Sequence, residues 1–249
     1  MTSLSDIVAI STVTLFRNNQ SDKIRERYAL RSMAEGRELG YSIDVVDGGS
    51  SDPYLRECDK LGATVHVLPG TSFEKRTKFG VERMLAREGK QILARLEIEK
   101  PLMQHIAAMA QPIYEGRADL VVPHRGERKE YPREQQAAET LGNIFFKTLT
   151  GLPFELDMWG GTRVWRRELS RYFLQYADGQ HKGRWNCYFV PVLWAMRDGA
   201  RMMSVPINYV HPQEQTALER SDFRFVKKRI IQLRQVTAAL EKEWIKRDI

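Results

Sequence analysis

Segments typical of β-strands and α-helices alternate along the first half of the chain. The predicted strands are rich in apolar and β-branched residues and cover 7–15, 42–46, 64–68, 91–98 and 118–123. Between them lie segments that carry helix start and stop signals. This order predicts an α/β fold, a mostly parallel sheet with helices on both faces. Because crossovers are right-handed, the carboxyl ends of the strands should share one edge, where ligands bind to such sheets.

Helix starts can be predicted from capping residues. Asp52 has the position of an N-cap before Pro53, and Thr71 with Glu74 has the spacing of a capping box. The second half of the chain is less regular. Its predicted helices and strands are 134–150, 162–165, 186–197, 201–210 and one long terminal helix, 221–247.

Composition limits the class of protein. The 249 residues are 42% hydrophobic and 29% charged, which suits one globular domain with a core of useful size. Cys58 and Cys187 are too few for a disulfide framework or a zinc site, and residues 1–20 do not resemble a signal peptide, so we expect a cytoplasmic protein. The net charge of +7 favours anionic partners. No zinc-finger or RNP-like pattern is present, so nucleic-acid binding is not expected.

The segment from Asp47 to Asp52 follows a predicted strand and precedes a predicted helix. Its small residues allow the backbone to approach a ligand closely, and the Asp47 carboxylate can accept from a nucleobase or a ribose hydroxyl. An ordinary turn explains the same residues equally well, because Asp, Gly and Ser dominate turns.

Glu97 and Glu99 end the fourth predicted strand. Alternation along a strand would direct both carboxylates to the same side, where they could hold a hard cation that bridges diphosphate oxygens. The simpler alternative is ion pairing with Arg95 and Lys100. His211 follows a late apolar strand and could complete a metal site, although a lone histidine is more often a structural hydrogen-bonding group.

Basic residues provide further candidates for binding anions. Lys78 lies in the first turns of a predicted helix together with Lys75 and Arg76, where it could neutralise phosphates or belong to a solvated basic face. Arg125 belongs to a basic, proline-containing loop. The sequence contains no P-loop, no G-x-G-x-x-G, no G-x-S-x-G and no H-E-x-x-H, which argues against the enzyme classes that carry them.

Five segments occur in the order found in one enzyme family. Val45–Asp52 resembles the V-V-D-D-G-S-x-D segment of family-2-like glycosyltransferases with the GT-A fold, and Ile92–Glu99 lies where that family has its D-x-D. Ala118–Arg125 is similar to its A-D-L-V-x-G-S-R strand. Leu156–Glu168 resembles its D-x-x-x-G-x-R-x-x-R-R-E segment. Val205–His211 is similar to the strand that ends in a metal-binding histidine in mannosylglycerate and glucosyl-3-phosphoglycerate synthases.

The resemblance implies a Rossmann-like GT-A domain over residues 1–249. It would have a nucleotide-binding half (1–123), an acceptor half (124–220) and a C-terminal helix (221–247). The implied activity is transfer of a sugar from a UDP- or GDP-sugar to a hydroxyl acceptor, with Mg²⁺ or Mn²⁺ assisting departure of the nucleoside diphosphate.

The resemblance also implies roles for individual residues. The expected donor-binding residues are Asp47, Lys78 and Glu97. The expected metal ligands are Glu99 and His211. In an inverting enzyme Asp157 would be the general base, whereas in a retaining enzyme it would position the acceptor. Arg125 and Arg163 would bind a carboxylate or phosphate of the acceptor.

Two alternatives stay open. A nucleotidyltransferase uses a similar sheet and a metal, but it usually carries a glycine-rich loop after the first strand, whereas residues 16–20 contain no glycine. A non-catalytic nucleotide-sugar-binding relative is the second alternative. Gly48 in place of the second aspartate of D-D-G-S, and glutamates in place of D-x-D, would then mark lost catalysis.

The terminal segment 221–247 combines an apolar stripe with many basic residues. The stripe consists of Val226, Ile230, Leu233, Leu240 and Trp244. A basic amphipathic helix can lie on an anionic membrane, which would suit peripheral membrane contact. Because the stripe has few large apolar residues, packing on the domain itself or on a second subunit in a homodimer is favoured.

Overall fold

The computed structural model describes residues 3–126, 130–152, 157–220 and 222–246. In these ranges seven strands form one sheet, in the order β3-β2-β1-β4-β6-β5-β7. The strands are β1 Val8–Thr14, β2 Ser42–Asp47, β3 Thr64–Val67, β4 Ile92–Leu96, β5 Leu120–His124, β6 Arg163–Arg166 and β7 Met202–Pro206. Only β6 runs antiparallel to its neighbours β4 and β5, and the other paired strands are parallel. The expected mostly parallel α/β sheet is confirmed.

Helices cover both faces of the sheet. They are α1 Leu4–Ile7, α2 Gln20–Glu38, α3 Asp52–Lys60, α4 Phe73–Leu85, α5 Ile106–Tyr114, α6 Arg133–Thr150, α7 Ser170–Gln175, α8 Asn186–Arg197, α9 Gln213–Arg220 and α10 Phe223–Ile245. Successive side chains of a strand point to opposite faces, so Val8 and Ile10 pack with α2, α3 and α5, whereas Ala9 packs with α4 and α8. The sheet therefore separates two apolar layers.

Two predicted helix starts are wrong by one residue. The helix after β2 begins at Asp52 itself, with Ser51 in the N-cap position. The N-cap of α4 is Ser72, whose hydroxyl accepts a hydrogen bond from the Lys75 amide at 3.1 Å. The Thr71 hydroxyl donates to the Leu68 carbonyl at 2.7 Å and so closes the preceding turn. Thr71 and Glu74 therefore do not form a capping box.

The strand before the paired glutamates is shorter than predicted. It ends at Leu96, and the chain then turns, with the Lys100 amide donating to the Glu97 carbonyl at 2.9 Å. Glu97 and Glu99 therefore lie in a turn, and strand alternation does not determine the directions of their side chains. The late strand β7 likewise ends at Pro206 rather than at residue 210.

The C-terminal helix α10 packs against α6 and α8. Leu240 is buried, and Leu233 and Trp244 pack against the apolar layer on that face of the sheet, whereas Ile230 is exposed. Most of the predicted stripe is thus covered by the domain itself. A separate helix, α9, precedes α10 and was not predicted. Among the residues that the structure describes, no helix has the length and apolar character needed to cross a membrane.

Candidate functional site

A cavity of about 930 Å³ opens at the carboxyl edge of the sheet. Its walls come from the end of β1, the turn after β4, the start of α2, the loop before α8, and the helices α9 and α10. A smaller cavity of about 320 Å³ shares Arg17, Arg25 and Arg184 with the larger one and extends to Thr14 and Arg76. This is the edge at which open α/β sheets bind ligands.

Glu97 lies in the cavity wall beside two cations. Its carboxylate forms an ion pair with Lys100, and Arg95 also lies close to it. Burial alone would raise the pKa of Glu97, but the charges of Lys100 and Arg95 outweigh burial, so this pKa lies below its usual value. Arg95 is fixed in turn, since it donates to the Gly161 carbonyl at 2.5 Å and stacks on the ring of Tyr188. Glu97 is therefore an ionised carboxylate whose position is fixed by its ion pair with Lys100.

Glu99 lies in the same wall and is paired with a helix residue. Arg25 of α2 donates to its Oε1 atom at 2.5 Å. Burial raises the pKa of Glu99 and Arg25 lowers it, with a net decrease. The sequence analysis thus named the ion-pair partner of Glu97 correctly as Lys100. The partner of Glu99 is Arg25, which is distant in the sequence.

The two carboxylates have the chemistry of a metal site. Mg²⁺ and Mn²⁺ prefer hard oxygen ligands, which Glu97 and Glu99 supply at the cavity wall. Within the described ranges no group of three His, Cys, Asp or Glu side chains is arranged to hold a metal ion. A divalent ion here would need further oxygen ligands from a bound molecule or from water.

His211 lies outside the cavity wall. It is 1% exposed, its Nδ1 atom lies 3.0 Å from the Tyr209 hydroxyl, and its ring stacks on Tyr131. Its Nε2 atom lies 3.5 Å from a carboxylate oxygen of Glu219, a residue that does line the cavity. Burial lowers the pKa of His211. The structure therefore does not bring His211 together with Glu99, and places it behind Glu219.

Asp47 is fully buried at the end of β2. Its carboxylate accepts hydrogen bonds from the Thr14 hydroxyl, the Gly49 amide, and both the amide and the hydroxyl of Ser50, at 2.6–2.7 Å. These bonds fix the turn that follows β2. Asp47 thus shapes the edge of the site from below and lies outside both cavity linings.

The basic residue of α4 that reaches the smaller cavity is Arg76, not Lys78. Lys78 is exposed and absent from both cavity linings, whereas Arg76 is 5% exposed and lines the smaller cavity. A Cβ atom on Gly48 would lie 2.1 Å from the Arg76 guanidinium. The glycine at this position therefore leaves room for the Arg76 side chain.

Arg125 and Asp157 form a buried pair. Arg125 donates from Nε and Nη2 to the two oxygens of Asp157, at 2.5 and 2.9 Å. It also donates to Tyr131 at 2.7 Å and to Glu139 at 2.9 Å. Neither residue lines the cavity. The roles expected for them, acceptor binding and general base, are not matched by this position, since each binds the other.

Arg163 is also buried and faces the backbone. It donates to the carbonyls of Met158, Gly160 and Thr162 and so holds the turn before β6. Burial, with the charge of Arg95, lowers the pKa of Arg163 to about 9. An acceptor-binding role for Arg163 is not matched either, because its side chain is enclosed.

Sequence reasoning missed several residues that do line the cavity. Cationic side chains outnumber acidic ones there, and the most informative of those missed are Arg25, Arg184, Glu219 and Lys228. They come from four separate elements, and no motif marks them. The one available signal was the density of basic residues in 221–247, which was interpreted as a membrane-facing or packing surface.

Comparison with known proteins identifies the fold. No model of a known protein family matches the chain, and no curated protein matches it. It is similar to the crystal structure of glucosyl-3-phosphoglycerate synthase from Mycobacterium tuberculosis in complex with Mn²⁺, UDP and phosphoglyceric acid. The TM-score is 0.60 and the identity 18%, over 95% of this chain and 78% of that one.

Two other solved structures share the fold at lower scores. One is a cytidylyltransferase from Leptospira borgpetersenii serovar Hardjo-bovis, with a TM-score of 0.51, 12% identity, and coverage of 95% and 94%. The other is a proposed nucleotide-diphospho-sugar transferase from Desulfovibrio desulfuricans G20, with a TM-score of 0.50, 9% identity, and coverage of 93% and 98%. At such identities the likeness establishes the fold, and the expected GT-A-type architecture is confirmed.

Proposed function

We propose that this protein is a glycosyltransferase that moves a sugar from a nucleoside-diphosphate sugar to a hydroxyl acceptor. The observation that carries the proposal is the cavity at the carboxyl edge of the sheet. It contains the ion-paired carboxylates of Glu97 and Glu99, and its lining has more cationic than acidic side chains. A nucleoside diphosphate needs both, because its phosphates attract cations and a divalent ion bridges them to carboxylates. The likeness to a synthase structure that holds Mn²⁺ and UDP supports this interpretation.

In this proposal Glu97 and Glu99 would hold Mg²⁺ or Mn²⁺, and the bound ion would supply positive charge to stabilise the leaving diphosphate. Lys100 and Arg25 hold the two carboxylates in place before the donor arrives. Asp47 contributes to donor binding through the turn that it fixes. Arg76 takes the phosphate-facing role that the sequence suggested for Lys78.

For an inverting reaction we propose Glu219 as the base that accepts the proton of the acceptor hydroxyl. Of the carboxylates in the described part of the cavity wall, Asp22 and Glu99 pair with Arg25, Glu97 with Lys100, and Asp222 with Arg224. The Glu219 carboxylate instead accepts from Gln215 at 3.0 Å and faces His211. Among the described residues, Glu219 therefore forms no ion pair with an arginine or a lysine.

The variant Glu219→Gln tests this role. General-base catalysis contributes about 10²–10⁴-fold, so we expect kcat to fall by about that factor while donor affinity stays unchanged. Asp222→Asn, on the same cavity wall, is the matched control. Equal kcat for wild type and Glu219→Gln would contradict the assignment.

A ligand panel tests the function itself. The melting temperature is measured with UDP, GDP, ADP, CDP and dTDP, each with and without Mn²⁺ or Mg²⁺. A ligand of the native state at 100 times its Kd stabilises it by about 2.7 kcal/mol. We expect one diphosphate to raise the melting temperature, and its sugar conjugate to release that diphosphate in the presence of an acceptor. No effect from any diphosphate would contradict the proposal.

A nucleotidyltransferase is the second candidate, since a cytidylyltransferase shares the fold. The two activities differ in their products. A glycosyltransferase releases a nucleoside diphosphate, whereas a nucleotidyltransferase consumes a nucleoside triphosphate and releases pyrophosphate. Pyrophosphate release from CTP or UTP with a sugar phosphate would favour the second candidate. Donor binding without turnover would favour a non-catalytic relative.

A further inference from the structure

Arg184 and Lys228 are cations of the cavity wall that have no ion-pair partner among the described residues. Arg184, in the loop before α8, and Lys228, on α10, both line the cavity and remain accessible to solvent. In the part of the chain that the structure describes, neither forms an ion pair with a carboxylate. They differ in this from Arg25, which is paired with Glu99, and from Lys100, which is paired with Glu97.

Arg184 is held in place by aromatic rings. Its guanidinium carbon lies 5.4 Å from the ring centre of Phe73 and 5.1 Å from that of Trp185. Stacking of this kind fixes the plane of the guanidinium without consuming its N–H donors. Those donors stay free for a group that binds an arginine through two oxygens.

Lys228 lies in a strongly positive environment. The surrounding cavity walls partly desolvate its ammonium group, although the side chain still reaches solvent, and this desolvation together with the charges of Arg229, Arg25 and Arg184 lowers its pKa to about 8. Glu219 acts in the opposite direction but does not compensate. An ammonium group kept among like charges is stabilised when an anion binds between them. An anion bound between the two side chains would therefore stabilise both charges.

We propose that Arg184 and Lys228 form a binding site for a phosphate group within this cavity, with the phosphate seated between the loop before α8 and helix α10. Arginine contributes a planar two-pronged contact and lysine a point charge, a combination that suits a phosphate dianion. This inference rests on the proposed function, because it assigns the bound phosphate to a substrate of the proposed glycosyl transfer. The phosphate could be part of the donor diphosphate or part of the acceptor.

The test is isothermal titration of inorganic phosphate, and separately of UDP, into three proteins. These are the wild type, the double variant R184M/K228M, and K227M as a matched control. Lys227 is the exposed neighbour of Lys228 on α10 and does not line the cavity. Circular dichroism and the melting temperature without ligand confirm that each variant is folded.

We expect the double variant to bind inorganic phosphate at least about tenfold more weakly than wild type, and K227M to bind it normally. If the double variant also loses affinity for UDP, the site holds the donor diphosphate. If UDP binds normally and phosphate still binds to the UDP-saturated wild type but not to the double variant, the site holds an acceptor phosphate.

The outcomes separate this proposal from the proposed function. Equal phosphate affinity in wild type and double variant, or no phosphate binding by the wild type, would overturn the phosphate site. Phosphate binding that depends on Arg184 and Lys228, in a protein that binds no nucleoside diphosphate, would keep the phosphate site and contradict the glycosyltransferase proposal.

Discussion

The buried pair of Arg125 and Asp157 leads to a prediction that separates a structural carboxylate from a catalytic one. The side chain of Arg125 is 0% exposed and that of Asp157 is 2% exposed. Asp157→Asn removes one charge from this pair and leaves one donor of Arg125 facing an amide. Breaking a buried ion pair by changing one partner costs about 3–5 kcal/mol of unfolding free energy.

The magnitude should lie at the lower end of that range. Arg125 keeps its contacts to Glu139 and to the Tyr131 hydroxyl, so its charge stays partly compensated. We therefore expect a loss of about 3 kcal/mol. For a chain of this length each kcal/mol lowers the melting temperature by about 2–4 °C, so the expected decrease is roughly 6–12 °C.

The assay is urea unfolding followed by circular dichroism, with calorimetry for the melting temperature. Asp59→Asn is the control, since Asp59 is an exposed acid in the last turn of α3. It should change the unfolding free energy by less than about 0.5 kcal/mol. An Asp157→Asn protein with wild-type stability that has lost sugar transfer would refute the structural role and restore Asp157 as the base.

Two further predictions concern packing and pH. A Cβ atom on Gly142 would lie 2.3–2.5 Å from ring atoms of Trp159, so Gly142→Ala should cost about 1–3 kcal/mol by overpacking. Its melting temperature is compared with that of Gly36→Ala, where the added methyl meets flexible Ile43 and Met103 side-chain ends and should cost less. If the two variants melt alike, the packing argument is wrong. Phosphate affinity should fall as pH rises through about 8, because Lys228 loses its proton there. Isothermal titration of inorganic phosphate at several values between pH 7 and 9.5 measures this affinity. If K228R loses phosphate affinity equally steeply, the pH dependence does not come from Lys228.

Much of the sheet could be predicted, because most of its strands are buried, apolar runs and its helices carry local capping signals. The bounds of α8 were predicted correctly, and most other elements within a few residues. The capping error at Thr71 has a local cause. Two neighbouring hydroxyl residues could each cap α4, and the choice depends on the turn that Thr71 closes.

The candidate site was less predictable because its residues meet only in the folded chain. Glu97 and Glu99 were identified, but their partners Arg25 and Lys100 decide how they are held. Asp157 lies in a polar motif, and a motif does not reveal whether a side chain faces a cavity or a buried arginine. That difference is set by packing.

The cavity is built from residues far apart in the order of synthesis. Arg17 and Arg25 line it from the early part of the sequence, whereas Lys228 and Arg229 line it from α10, the last helix that the structure describes. A nascent chain that has emerged only as far as β7 contains all strands of the described sheet but has an open, incomplete pocket. Ligand recognition should therefore appear late during translation, once α10 has completed the cavity wall.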